Sequence, residues 1–198
     1  MIKKIYILVP NGIYKPIYIK EYDIAHVKPD GINSLKDKWG DFRNIYSPQK
    51  AGREVKDYTA LKNYDPIFSD KATDVLKDFF TCGELLPIKN EFSNDFYLYN
   101  IFPKVDYINW EYTNLLANKD SGISININEK IYFEFIPEKI QHHIFKNEKQ
   151  YQVFVTDIFV QKVLDNKLRG FCFVPIWDIE IGGIEHLLYK DKINKINT

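Results

Sequence analysis

Apolar and polar residues along this chain repeat in two different periods, and the switches between them mark out its elements. Ile5 to Val9 and Ile13 to Ile19 are β-rich runs on either side of Pro10-Asn11-Gly12, a turn-forming trio, which predicts an opening hairpin with Pro16 at an edge or bulge. Between residues 28 and 56 the pattern breaks. Pro29, Gly31, Gly40, Pro48 and Gly52 interrupt every run, predicting a long irregular loop with one short element around Trp39 to Ile45. Loops of that length inside a compact domain are often functional.

From Ser69 onward the period becomes helical. Ser69 and Asp70 are N-cap types, Ala72, Val75, Leu76, Phe79 and Phe80 line one helical face, and Gly83 suits its closure. Leu85-Leu86-Pro87-Ile88 and Phe96-Tyr97-Leu98-Tyr99 predict a second hairpin across the polar stretch Lys89 to Asp95. Ile123 to Ile127 and Ile131 to Phe135 alternate in strand period around Asn128-Glu129-Lys130. Near Tyr151 the helical theme returns: Thr156-Asp157 as cap, Phe159, Val160, Val163 and Leu164 as stripe, Gly170 as stop, and Phe171 to Ile176 as a strand. The tail from Lys190 to Thr198 has no strong period and is expected to fray.

The two helical segments share punctuation. Asp70 to Gly83 spans thirteen residues, as does Asp157 to Gly170, and each glycine is followed by an apolar run containing Pro-Ile (Pro87-Ile88, Pro175-Ile176). This predicts an α+β fold, mainly antiparallel sheet, with two similar helix-strand modules packed on it, near 66–101 and 151–177. The expectation is a single domain over 1–198, long enough to bury a sizeable core.

Composition narrows the function classes. Lys+Arg and Asp+Glu balance at 27 each, which removes a global argument for nucleic acid or an anionic membrane as partner. The charge is nonetheless segregated: residues 1–62 carry 12 basic and 7 acidic side chains, residues 63–135 carry 6 and 12, and residues 136–198 carry 9 and 8. The middle third is the acidic part. Two cysteines without CxxC spacing, a five-residue apolar run stopped at Pro10, and no bilayer-length stretch predict a cytoplasmic protein.

No catalytic signature emerges. GxSxG and P-loop patterns are absent, and Gly182-Gly183 reads as a turn. His142-His143 are sequence neighbours, poorly placed to share a metal, and read as surface residues; no metal or cofactor is expected. Asp178 and Glu180 would share a strand face, most simply a solvated one. The tryptophans have two readings, as core or as partner-binding spots flanked by carboxylates. The candidate partner-binding residues are Trp39, Trp110, Glu111, Trp177 and Asp178.

The blocks Phe68-Ser69-Asp70…Gly83…Pro87-Ile88, Phe96 to Ile101 with Val105-Asp106-Tyr107-Ile108-Asn109-Trp110-Glu111, and Phe154-Val155-Thr156-Asp157…Gly170…Pro175-Ile176 resemble bacterial immunity proteins of polymorphic toxin systems, in particular immunity family eleven. The resemblance spans roughly residues 60–112 and 144–177. It implies a small non-enzymatic protein that binds and neutralises a cognate toxin encoded nearby, with no catalytic residues to carry over. Two rivals remain open at this point: a hydrolase-like enzyme whose carboxylates only the fold brings together, and a small-ligand or peptide-binding module. The sequence carries no signal of oligomeric state.

Overall fold

A computed structural model describes residues 1–11, 18–19, 32–39, 45–46, 56–61, 65–88, 96–113, 133–149, 152–184 and 195–198. In chain order the elements are β1 (Lys4–Pro10), β2 (Tyr18–Ile19), β3 (Ile45–Tyr46), β4 (Tyr58–Ala60), β5 (Pro66–Ser69), α1 (Asp70–Leu76), β6 (Glu84–Ile88) and β7 (Phe96–Asn100). They continue with β8 (Ile144–Lys146), β9 (Val153–Thr156), α2 (Asp157–Asp165), β10 (Phe171–Asp178), β11 (Gly182–Gly183) and β12 (Ile196–Asn197). The fold is α+β and every named strand pair is antiparallel. The arm expected at residues 13–17, the strand expected at 123–127 and most of the 28–56 loop lie outside the described residues.

Two sheets dominate. The larger runs β11-β10-β1-β9-β8, with β12 also on β10; the smaller runs β4-β5-β7-β6. Each contains a strand leading directly into a helix (β5 into α1, β9 into α2) and a strand following it (β6, β10). Between those two strands sits a third, β7 in the smaller sheet and β1 in the larger. Pro87 pairs with Tyr97 in one, Pro175 with Tyr6 in the other.

Alternation along the strands sorts side chains into three clusters. Tyr6, Leu8, Val153, Val155, Phe171 and Phe173 from the larger sheet meet Tyr58, Phe68 and Tyr99 from the smaller. Both helices join this central core through Ala72, Leu76, Phe159, Val160 and Val163. On the far face of the larger sheet, Ile5, Ile7, Phe145, Phe154, Val174 and Trp177 pack with Phe133 and Phe135. Ile67, Leu86, Ile88, Phe96 and Leu98 cover the far face of the smaller sheet. Rings carry much of the packing: Tyr58 stacks on Phe171 at 4.7 Å across the two sheets, and Phe68 meets Tyr58, Phe80 and Phe171.

Several expectations meet corrections. Between Ile5 and Leu8, β1 is paired on both edges, by β10 and β9, so it is a central strand rather than the first arm of a hairpin. Its uninterrupted apolar run fits that place, since both of its faces are covered. Tyr18-Ile19 pairs instead with Ile45-Tyr46. The end of the chain is pinned: Thr198 donates from its backbone to Phe171 and accepts from Gly170, and Ile196-Asn197 extends the sheet. Gly182-Gly183 forms a strand on β10, and the turn falls at residues 179–181. The hairpin of β6 and β7 forms as expected.

The helix ends separate local from tertiary control. Ser69 Oγ accepts from the Ala72 backbone N–H (3.2 Å), a true side-chain cap. Thr156 makes no such bond. Its hydroxyl is taken by His143 Nδ1 at 2.9 Å. At the other end of α2, Lys167 (φ 52°) adopts the left-handed conformation. Leu168 N–H reaches the Val163 carbonyl and Lys167 N–H the Leu164 carbonyl, the paired bonds of a Schellman closure. Leu164 lies on the solvent side at 37% exposure, outside the buried stripe. Gly170 therefore does not stop the helix. It is glycine because an added Cβ would stand 2.4 Å from the Tyr58 carbonyl oxygen at φ +98°.

Polar groups tie the two sheets together. Lys146 of β8 forms a buried ion pair with Asp65, just before β5. Asp57 accepts from Ser69 Oγ (3.1 Å) and from the Arg169 backbone N–H (2.8 Å).

The helix closure and the seam give three stability predictions. Gly170→Ala forces a backbone clash and should lower the unfolding free energy by about 2–4 kcal/mol. Lys167→Gly relieves a left-handed non-glycine residue and should raise it by about 0.5–1 kcal/mol. Lys146→Met removes the counter-ion of the buried Asp65 carboxylate and should cost about 3–5 kcal/mol, whereas replacing both partners by apolar residues costs much less. Urea midpoints of the purified variants measure all of these.

Candidate partner-binding surface

The five residues singled out by sequence lie at two separate places. Trp39 follows a single 3₁₀ turn (Lys36–Lys38) and packs on the far face of the smaller sheet, its indole N–H donating to the Pro87 carbonyl at 2.8 Å. Of the other four, Trp110 and Trp177 belong to the cluster on the far side of the larger sheet, and Glu111 and Asp178 follow them in the chain. Trp110 packs against the cluster that contains Trp177. Its indole N–H is shared by both Asp106 carboxylate oxygens (2.8 and 3.0 Å), and the Lys149 ammonium stands 4.2 Å from the ring centroid. Asn147, buried beside it, holds Asp106 from the other side at 3.0 Å. Glu111, next in the chain, is exposed.

Trp177 is buried, at 3% exposure. A β-bulge in β10 opposite Ile5 and Tyr6 lets Ile176 and Trp177 both enter the same cluster despite being consecutive. Its indole N–H donates to Glu134 Oε1 at 2.7 Å. Asp178 closes the strand. Its carboxylate accepts from the Glu180 backbone N–H (3.0 Å) and pairs with Lys4 (2.9 Å), and these contacts hold it below the usual carboxylate range.

Glu134 is the organiser that sequence reasoning passed over. Its Oε2 accepts from Gly183 N–H at 3.0 Å, and its backbone N–H donates to Thr113 Oγ1 at 2.9 Å. Asn109 N–H donates to its carbonyl at 2.8 Å. One acidic residue therefore fastens the 109–113 loop to the β10-β11 hairpin. The sign in the sequence was a charge set between two buried aromatics, Phe133-Glu134-Phe135, where a strand's alternation would place it on the opposite side. Gly182 has φ +74°, a conformation that favours glycine, and an added Cβ would come within 2.9 Å of Glu134 Oε2.

The two histidines at 142 and 143 and the two cysteines serve structure. His142 Nδ1 and Thr81 Oγ1 lie 3.0 Å apart, and His143 is bonded to Thr156 and set edge-on to Phe79. They are half-buried rather than free surface residues, and burial lowers the pKa of both; at His143 the neighbouring Asp157 opposes the shift. Cys82 and Cys172 are buried and their thiols are pushed up by desolvation, the opposite of an activated nucleophile. Among the described residues no group of three or more His, Cys, Asp or Glu is arranged to hold a metal ion. No helix among them is long and apolar enough to cross a membrane.

Comparison with known families places the chain. The family model described as Immunity protein family (Imm11) matches residues 40–178. The chain belongs to that family, and membership implies a toxin as its partner. A search of curated proteins gave no match.

The histidines give a pH prediction. Their folded pKa values lie below the ordinary value of about 6.5, so on acidification the unfolded chain takes up protons first. Stability is then complete above that pH and falls as pH drops below it, until the folded histidines protonate too. His143→Gln should flatten the decline in urea midpoint between about pH 7 and pH 5, measured beside the parent chain.

Proposed function

We propose that this chain is a non-catalytic immunity protein that binds one cognate toxin, encoded nearby, and neutralises it. Family membership over residues 40–178 carries the reading. The use of the titratable side chains supports it: Glu134, Asp178, His142 and His143 are each engaged in contacts that hold the fold, and both thiols are buried. Balanced charge and the acidic middle third favour a protein partner with a basic surface over nucleic acid or a membrane. The setting is the cytoplasm of a bacterium carrying a polymorphic toxin system. The chain acts there as one domain built from two like helix-strand modules, a scaffold that displays a binding surface.

Co-expression with the toxin encoded in the adjacent gene is the test. The two proteins should copurify, and cells making both should survive a dose of toxin that kills cells making the toxin alone. An active toxin that neither binds nor is tamed would end this reading.

A further inference from the structure

Exposed apolar side chains are normal when scattered and informative when they share an edge. In this molecule Tyr112 (60% exposed), Ile158, Ile179 and Ile181 (73% exposed) come from three distant chain segments. Hydrogen bonds join those segments. Glu134 fastens the loop that carries Tyr112 to Gly183, two residues beyond Ile181. Ile179 N–H donates to the Lys3 carbonyl at 2.8 Å, and Lys3 N–H donates to Asp157 Oδ1 at 3.2 Å, beside Ile158 at the start of α2. All three segments therefore lie at the end of the larger sheet where β1 begins, β10 ends and α2 starts, with α2 on the central-core side and the 109–113 loop on the far side. The candidate tryptophans are poorer anchors: Trp177 is buried, and Lys149 already covers the ring of Trp110.

Charge selects the occupant. Glu111 and Glu180 flank this edge, exposed and without an ion pair among the described residues. Lys4 pairs with Asp178 and also feels Glu180, and Asp157 accepts from the Lys3 backbone N–H, so the carboxylates Glu111, Asp157, Asp178 and Glu180 outnumber the ammonium groups of Lys3 and Lys4 at this edge. Two copies of this chain meeting here about a two-fold axis would set these carboxylates against each other. A basic surface with an apolar centre fits. We propose that this edge, centred on Tyr112 and Ile181, is where the toxin docks, an assignment that rests on the immunity reading above.

The experiment uses the full chain and the toxin encoded in the adjacent gene. Binding is measured by calorimetry for the parent, Ile181→Asp, Tyr112→Ala and their combination. Leu164→Asp, an exposed position at the far end of α2, serves as control. Circular dichroism and thermal midpoints confirm that each variant is folded. Each substitution at the edge should raise Kd by about tenfold or more, with little change for the control. Added salt should slow association of the parent, as expected for opposite charges meeting. If the parent binds and both edge variants bind equally well, the docking assignment is overturned and the immunity reading stands. A parent that fails to bind overturns the immunity reading itself. Should the parent sediment as a dimer that Ile181→Asp dissolves, the edge belongs to a second copy and the assignment is likewise lost.

Discussion

The structure depends on how closely the turn before β10 approaches the backbone of β4. Gly170 stands against the Tyr58 carbonyl with no room for a methyl group, and directly beyond it the Tyr58 ring lies flat on Phe171. Asp57, one residue before Tyr58, receives the Arg169 N–H, one residue before Gly170. These neighbouring contacts join two sheets that share no strand pair among the described residues. Buried aromatic rings gain from contact over their whole face, and that gain falls quickly as a gap opens. A backbone shift of even half an ångström at residue 170 would weaken the Tyr58, Phe68 and Phe171 contacts together. Lys146 and Asp65 then add a second fastening whose cost of burial is offset only while both partners are present.

Local features were legible in the chain and distant ones were not. The α1 cap was readable at Ser69 because cap and acceptor lie within one turn. Buried positions Ala72, Leu76, Phe159, Val160 and Val163 followed from helical period alone. Thr156 carries the same local signal, yet its hydroxyl is claimed by His143, thirteen residues earlier and immediately before β8. Lys167 in the left-handed conformation gives no sign in sequence, and so the end of α2 was placed three residues late at Gly170. The final residues looked like a fraying tail because the groups holding Thr198 are Phe171, Gly170 and Asn11, none of them near it in sequence.

The surface followed the same logic. Aromatic type drew attention to the tryptophans, but type does not report which face of a ring is already occupied. Glu134 sits in the middle of an aromatic stretch and bonds both Thr113 and Gly183, linking the segments that carry Tyr112 and Ile181. Family membership supplies the partner class, and the fold supplies the candidate contacts.

The position of β1 has a consequence for assembly. This strand is made before both of its neighbours, β9 and β10, which lie some 150 residues downstream and each pair with it along Ile5 to Leu8. During synthesis its apolar run waits with two open edges while the smaller sheet, whose strands are close in sequence, can already close. The larger sheet completes only after β9 to β12 have emerged. Pairings that span such distances slow the search for the native arrangement.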